Sequence, residues 1–195
     1  MVARVRMAAG NGAAMRAAPL AFFLDPDIAI DRRAIRDVSR ITHHNEEAYA
    51  GALAIVVAVR AAITGRWTDG SGLLSLVAEK LPDTRVRDRI NELRSVGEAS
   101  LIDVGRRRGS TGYVVDSVPL ALFGAARHGV LGFTTMITSV VEVGGDTDTI
   151  ASMAGQVAGA ALGSAALPPE VHRLAVAPTI EKVALAIAEV TADLG

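Results

Sequence analysis

The chain has 195 residues, half of them hydrophobic, with no cysteine and a formal net charge of -1. This length supports one domain, and the near-neutral charge supplies no overall positive field to draw it onto nucleic acid or an anionic membrane. Disulfides, thiolate zinc sites, cysteine nucleophiles and iron–sulfur clusters are excluded, so hard cations held by oxygen become the favoured metals.

In chain order, the basic N-terminus has no continuous apolar run before Gly10-Asn11-Gly12. No signal peptide is read, and a cytoplasmic location is expected. Residues 10–26 read as a glycine-containing loop and a short apolar piece ending at Pro26. Ile35, Val38 and Ile41 share one face of a helix over residues 31–41. Asn45 is placed to cap a helix over 46–64, with Glu46 and Glu47 in its first turn; this helix is apolar nearly all round and is expected at the centre.

A turn over 65–72 leads to a helix that starts at Ser71 or Gly72 and reaches about Leu81. Pro82 and Asp83 restart the chain into a charged, solvent-facing helix over 84–94. Residues 100–112 contain Arg106, Arg107 and Arg108 in a basic loop, a pattern that usually marks a solvated face. Helices follow over 114–127, 131–143 and 149–162, and after Pro168 and Pro169 another closes the chain over 179–193. Alternating β-branched runs are nearly absent, so the fold class is all-α, a compact single domain over 1–195. Segments 48–63 and 150–167 resemble membrane spans. The first is broken by Arg60, and the second is mostly Ala, Gly and Ser, which gain little in hydrocarbon, so both are read as buried helices and no membrane partner is expected.

The sharpest feature is the run Gly144, Gly145, Asp146, Thr147, Asp148, Thr149, entering an Ala/Gly-rich helix. Two glycines permit a tight turn, after which Asp146, Asp148 and Thr149 place three oxygen side chains on one short arc. An Asp at a helix start can be a simple cap. A close pair of carboxylates repel unless a cation lies between them, and a glycine-flanked pair with Thr entering so apolar a helix favours the cation. Elsewhere, Asn11-Gly12 is a common turn dipeptide, His43 beside His44 is either a helix-entry residue or a ligand contact, and Tyr113 either fills a core gap or borders a ligand. His128 and His172 have no ligand spacing, and no GK[ST] phosphate loop, HExxH or G-x-S-x-G motif occurs.

The string from Gly144 through Ile150 and Ala151 resembles the C-terminal metal motif of the ADP-ribosylglycohydrolase family, which includes the dinitrogenase reductase activating glycohydrolases. Residues 10–19 are similar to the family's glycine-rich substrate loop. Thr42-His43 with Gly51-Ala52 is similar to its histidine-bearing helix start, and Gly112-Tyr113 to its Gly-Tyr segment. The resemblance implies an all-α fold, two magnesium ions, and cleavage of the glycosidic bond between ADP-ribose and a modified protein side chain or small molecule. It implies Asp146, Asp148 and Thr149 as metal ligands, with Asn11, Gly12, Ala13, His43, Gly112 and Tyr113 against the ADP-ribose. Family members also carry an N-terminal helical portion with a Ser/Thr-Asp-Asp-Thr motif, supplying further ligands and the general base. This sequence lacks it, so the catalytic base is unassigned. The chain is read as the C-terminal portion of the fold, and either a catalytically incomplete ADP-ribose-binding remnant or one half of a split enzyme is the alternative. The missing helices are expected to leave apolar surface exposed over 48–63 and 150–162.

Overall fold

The computed structural model describes residues 9–70, 72–97 and 99–192. Two short 3-10 turns, Ala14–Arg16 and Ala18–Phe22, open it. The α-helices are α1 (Ala29–Arg40), α2 (Glu46–Ile63), α3 (Gly72–Lys80), α4 (Arg85–Arg94), α5 (Leu101–Arg108), α6 (Val114–Ala125), α7 (His128–Leu131), α8 (Phe133–Glu142), α9 (Thr147–Leu162), α10 (Pro169–His172) and α11 (Ala177–Ala192). No strand is formed among the described residues beyond one isolated bridge, Gly10 to Tyr113. No helix of the described residues is long and apolar enough to cross a membrane.

Helix α2 is the axis of the bundle. The Asn45 side chain accepts the Glu47 N–H at 2.8 Å, satisfying one of the donors every helix start leaves free. Glu46 and Glu47 complement the positive end of the dipole, and the Glu47 carboxylate also accepts the N–H groups of Arg85 and Val86 at 2.9 and 3.0 Å, so one side chain anchors the start of α4 against α2. Every residue from Ala48 through Val59 is buried, covered by the 3-10 turns, α1, α3, α6 and α9. Each fully buried Leu or Ile in this core, such as Leu53 or Ile55, adds roughly 1.5–3 kcal/mol by leaving water. Gly51 lets α6 approach, because a Cβ there would overlap the Val114 side chain. Helix α9 buries Thr149, Ile150, Met153, Ala154, Val157 and Ala158 against α2, α6 and α8.

The central helix, the cap at Asn45 and the all-α class agree with the sequence reading. Other elements differ. The expected exposure of residues 48–63 is wrong, because the loop and its 3-10 turns close over α2; α9 is left half-buried on one side, and the large exposed apolar side chains gather instead on α11, at Ile180, Val183, Leu185 and Val190. Helix α4 is not wholly solvent-facing, since Val86, Ile90 and Leu93 reach the core between its charges. The run Arg106–Arg108 is no loop but the last turn of α5, where cations suit the negative end of the helix dipole. The helix expected over 131–143 forms as α8 but starts later, at Phe133, because Gly132 at φ +77° separates it from the short α7, which the sequence reading does not contain. Helix α11 begins at Ala177, earlier than expected, and α10 starts on Pro169, the second proline of the pair. The alternative helix start at Ser71 and the end at Asp193 lie outside the described residues.

Candidate functional site

The acid cluster begins with two glycines in the left-handed region, Gly144 at φ +83° and Gly145 at φ +79°. Gly145 meets two demands at once, since a Cβ on it would collide with the carbonyl oxygen of Ser110. The tight passage brings the Asp146 N–H to that same carbonyl at 2.8 Å, which ties the start of α9 to the segment before α6.

Asp146 occupies the N-cap of α9, yet its side chain caps no helix N–H. Its two oxygens point elsewhere: Oδ1 accepts the Thr149 hydroxyl at 3.0 Å and Oδ2 accepts the side-chain amide of Asn11 at 2.6 Å. Thr149 is buried, and its oxygen retains lone pairs while it donates to Asp146. Asp148, in the first turn, is exposed. The plain capping role open to Asp146 from sequence is therefore not the one its side chain takes.

Asn11 is buried, and its backbone N–H donates to Gly112 O at 3.0 Å while Val114 N–H donates to Ala9 O at 2.9 Å. These bonds make the Gly10–Tyr113 bridge and lay the loop alongside the entry to α6. Gly112 lies close against the carboxylate, for a Cβ on it would stand 3.4 Å from Asp146 Oδ2. With both its amide groups engaged internally, Asn11 works as a strut joining loop to acid cluster. Among the described residues the N–H groups of Gly12 and Ala13 donate to no protein acceptor.

His43, half-buried at the α1–α2 turn, packs against the loop. A Cβ on Gly12 would stand 2.9 Å from its Cε1, and one on Gly10 would stand 3.4 Å from its Nε2. Burial, and then the nearby Arg16 guanidinium, hold the imidazole below the ordinary histidine pKa. Arg16 donates from Nε to Gly12 O at 2.8 Å and from a terminal nitrogen to Thr42 Oγ1 at 3.1 Å, and Thr42 Oγ1 lies 2.8 Å from His43 Nδ1. Tyr113 is half-buried, with the Arg85 guanidinium 5.6 Å from its ring centroid, a cation–π contact.

Asn11, Gly12, His43, Gly112, Tyr113, Asp146 and Thr149, drawn from four distant segments, thus form one continuous cluster. Ala13 is turned toward the core side of the loop, where it helps line a cavity of about 220 Å³ with Arg16, Ser39 and Thr42. Asp148 stands exposed in the first turn of α9. Asp146, Asp148 and Thr149 are hard oxygen donors suited to magnesium, yet among the described residues no three or more His, Asp or Glu side chains converge on one point. The parts given no role from sequence are Arg16, Thr42, Ser110 and Arg85. Arg16 with Thr42, Ser110 with Asp146 and Arg85 with Tyr113 pair across distant segments, and nothing local in the sequence signals those pairings.

The family model described as ADP-ribosylglycohydrolase matches residues 2–194. The chain is 28% identical over 191 residues to an ADP-ribosylhydrolase ARH3 of Gallus gallus, covering 82% of this chain and 51% of that protein. It is 29% identical over 177 residues to an ADP-ribosylarginine hydrolase Tri1 of Pseudomonas putida (strain GB-1), covering 90% of this chain and 45% of that protein. An uncharacterized protein of Archaeoglobus fulgidus is 25% identical over 150 residues, 76% of this chain and 48% of its own length. The chain spans about half the length of these curated relatives.

Proposed function

Given that this chain belongs to the ADP-ribosylglycohydrolase family, we propose that it binds ADP-ribose and magnesium at the Asn11–Asp146 cluster and serves hydrolysis of the glycosidic bond between ADP-ribose and a modified side chain or small molecule. The observation that carries this reading is the 2.6 Å bond from the Asn11 side chain to Asp146, which joins the glycine loop to the acid cluster.

Asp146, Asp148 and Thr149 would hold the metal. Bound there, magnesium would act as a Lewis acid and lower the pKa of a coordinated water. The protein groups do the positioning. Asn11 and Thr149 fix both Asp146 oxygens in place before any ligand arrives, so no reorientation is needed on binding. The N–H groups of Gly12 and Ala13, with no protein acceptor among the described residues, suit a phosphate oxygen. Tyr113, held by Arg85, offers a flat face to a ribose or base. No residue of this chain is assigned as general base.

A hard cation takes about six oxygens, and Asp146, Asp148 and Thr149 supply fewer. Together with the absence of a converging acidic group among the described residues, this favours a second reading for the chain acting alone, in which it binds ADP-ribose without turnover. Titration calorimetry with magnesium and ADP-ribose tests the shared part: saturable heat in the wild type, lost in Asp146→Ala and Asp148→Ala, supports the site. No heat in the wild type overturns both readings. Magnesium-dependent release of ADP-ribose from a modified arginine peptide, the residue named for the Pseudomonas putida relative, then separates turnover from binding.

A further inference from the structure

We propose that Arg16 and Thr42 form a relay that fixes His43 as the tautomer protonated on Nε2, presenting a hydrogen-bond donor beside the Gly10–Gly12 loop. The chain of contacts is direct. Arg16 donates to Thr42 Oγ1 at 3.1 Å, and that oxygen lies 2.8 Å from His43 Nδ1. A guanidinium only donates, so the hydroxyl accepts from Arg16. Its own proton is then polarised by the adjacent cation and points at Nδ1, which accepts it with a lone pair.

The opposite tautomer would aim an Nδ1–H dipole at an oxygen already bearing a cationic donor, with the positive end of the imidazole turned toward Arg16. Electrostatics disfavours that arrangement, as it disfavours the doubly protonated ring. The proton therefore resides on Nε2, the nitrogen lying against Gly10 and Gly12. Arg16 holds the same loop through Gly12 O at 2.8 Å, so one side chain sets both the loop and the ring that faces it. Arg16 and Thr42 are positioning residues here. The relay follows from these contacts alone; its use toward a ligand acceptor rests on the ADP-ribose reading above.

The test is nitrogen-15 NMR of the imidazole rings in the full chain at about pH 8, without ligand, with His43 assigned by the signals lost in His43→Asn. A pyrrole-type Nε2 and pyridine-type Nδ1 are expected. Thr42→Val should convert His43 to a tautomer mixture, while Thr42→Ser keeps the wild-type pattern. Both Thr42 and Arg16 are exposed, and far-ultraviolet circular dichroism checks that the variants fold. A proton on Nδ1 in the wild type, or a pattern unmoved by Thr42→Val, overturns the relay. In calorimetry, loss of one neutral hydrogen bond predicts ADP-ribose binding weakened roughly five-fold in Thr42→Val and restored in Thr42→Ser. Unchanged affinity overturns the functional use of the relay. Wild-type spectra as expected with no ADP-ribose heat would instead overturn the function proposed above and leave the relay standing, so the two failures are distinguishable.

Discussion

Replacing Gly145 by alanine should damage the protein far more than the same change at Gly144. Both glycines hold positive φ, +83° and +79°, where an alanine costs roughly 1–2 kcal/mol. A Cβ at Gly144 meets no atom within 4 Å, so the conformational cost is all it bears. At Gly145 the new methyl collides with the backbone of Ser110, which has no rotamer to yield with. The two segments must part, breaking the Asp146 N–H bond to Ser110 O at 2.8 Å and shifting the carboxylate that Asn11 holds at 2.6 Å. A backbone bond is worth about 1 kcal/mol and a charge-assisted one somewhat more, so Gly145→Ala should cost at least roughly 3 kcal/mol in total. For a chain of this length 1 kcal/mol corresponds to about 2–4 °C in Tm, which puts the drop at roughly 6–12 °C. Thermal unfolding of both variants side by side reads the difference directly. Equal losses in Gly144→Ala and Gly145→Ala would refute the argument, since both would then report φ strain alone.

Two further outcomes follow from the packing and the charges. Gly51→Ala inserts a methyl into the Val114 side chain where α2 and α6 touch, and overpacking of this kind costs about 1–3 kcal/mol; a chemical denaturation midpoint unchanged from wild type would show that the two helices separate freely. Because burial and Arg16 depress the His43 pKa, the folded protein refuses a proton that the unfolded chain accepts below about pH 6.5. The neutral ring's contribution is therefore fully present above that pH and declines as pH falls through it. Melting curves at about pH 8 and pH 5 should show a stability loss that His43→Asn reduces, and an equal loss in both proteins would count against the assignment.

What could be read in the sequence was whatever is written locally. Asn45 followed by two glutamates and an apolar run marks the start of α2, and two glycines before two aspartates mark the turn into α9. The short α7 and the late start of α8 are not written locally, because a glycine at the edge of an apolar helical pattern reads as a tolerated residue until its φ is seen. Arg106–Arg108 reads as a loop on charge density alone, whereas the buried Leu101, Val104 and Gly105 before it carry α5 through the run. Closure of the 3-10 turns over α2 depends on tertiary contacts that no window of sequence contains. The same holds within the site. The family resemblance pointed to Asn11, His43 and Asp146, whereas the bond between Asn11 and Asp146 and the roles of Arg16 and Thr42 exist only once four segments have met.

That meeting has a consequence for how the chain is made. Asn11 and Asp146 are 135 positions apart, and ribosomes add roughly 5–20 residues each second, so the glycine loop waits roughly 7–27 s for its acid partner to be synthesised. Until then Asn11 has no carboxylate to hold, while α1 to α4 can already settle through near-neighbour contacts whose closure entropy is small. The site should therefore be the last region to mature. When a full chain refolds, loop-closure entropy sets the same order, so in pulse-labelled hydrogen exchange the Asn11 amide, which bonds the distant Gly112 O, should gain protection after those of α2.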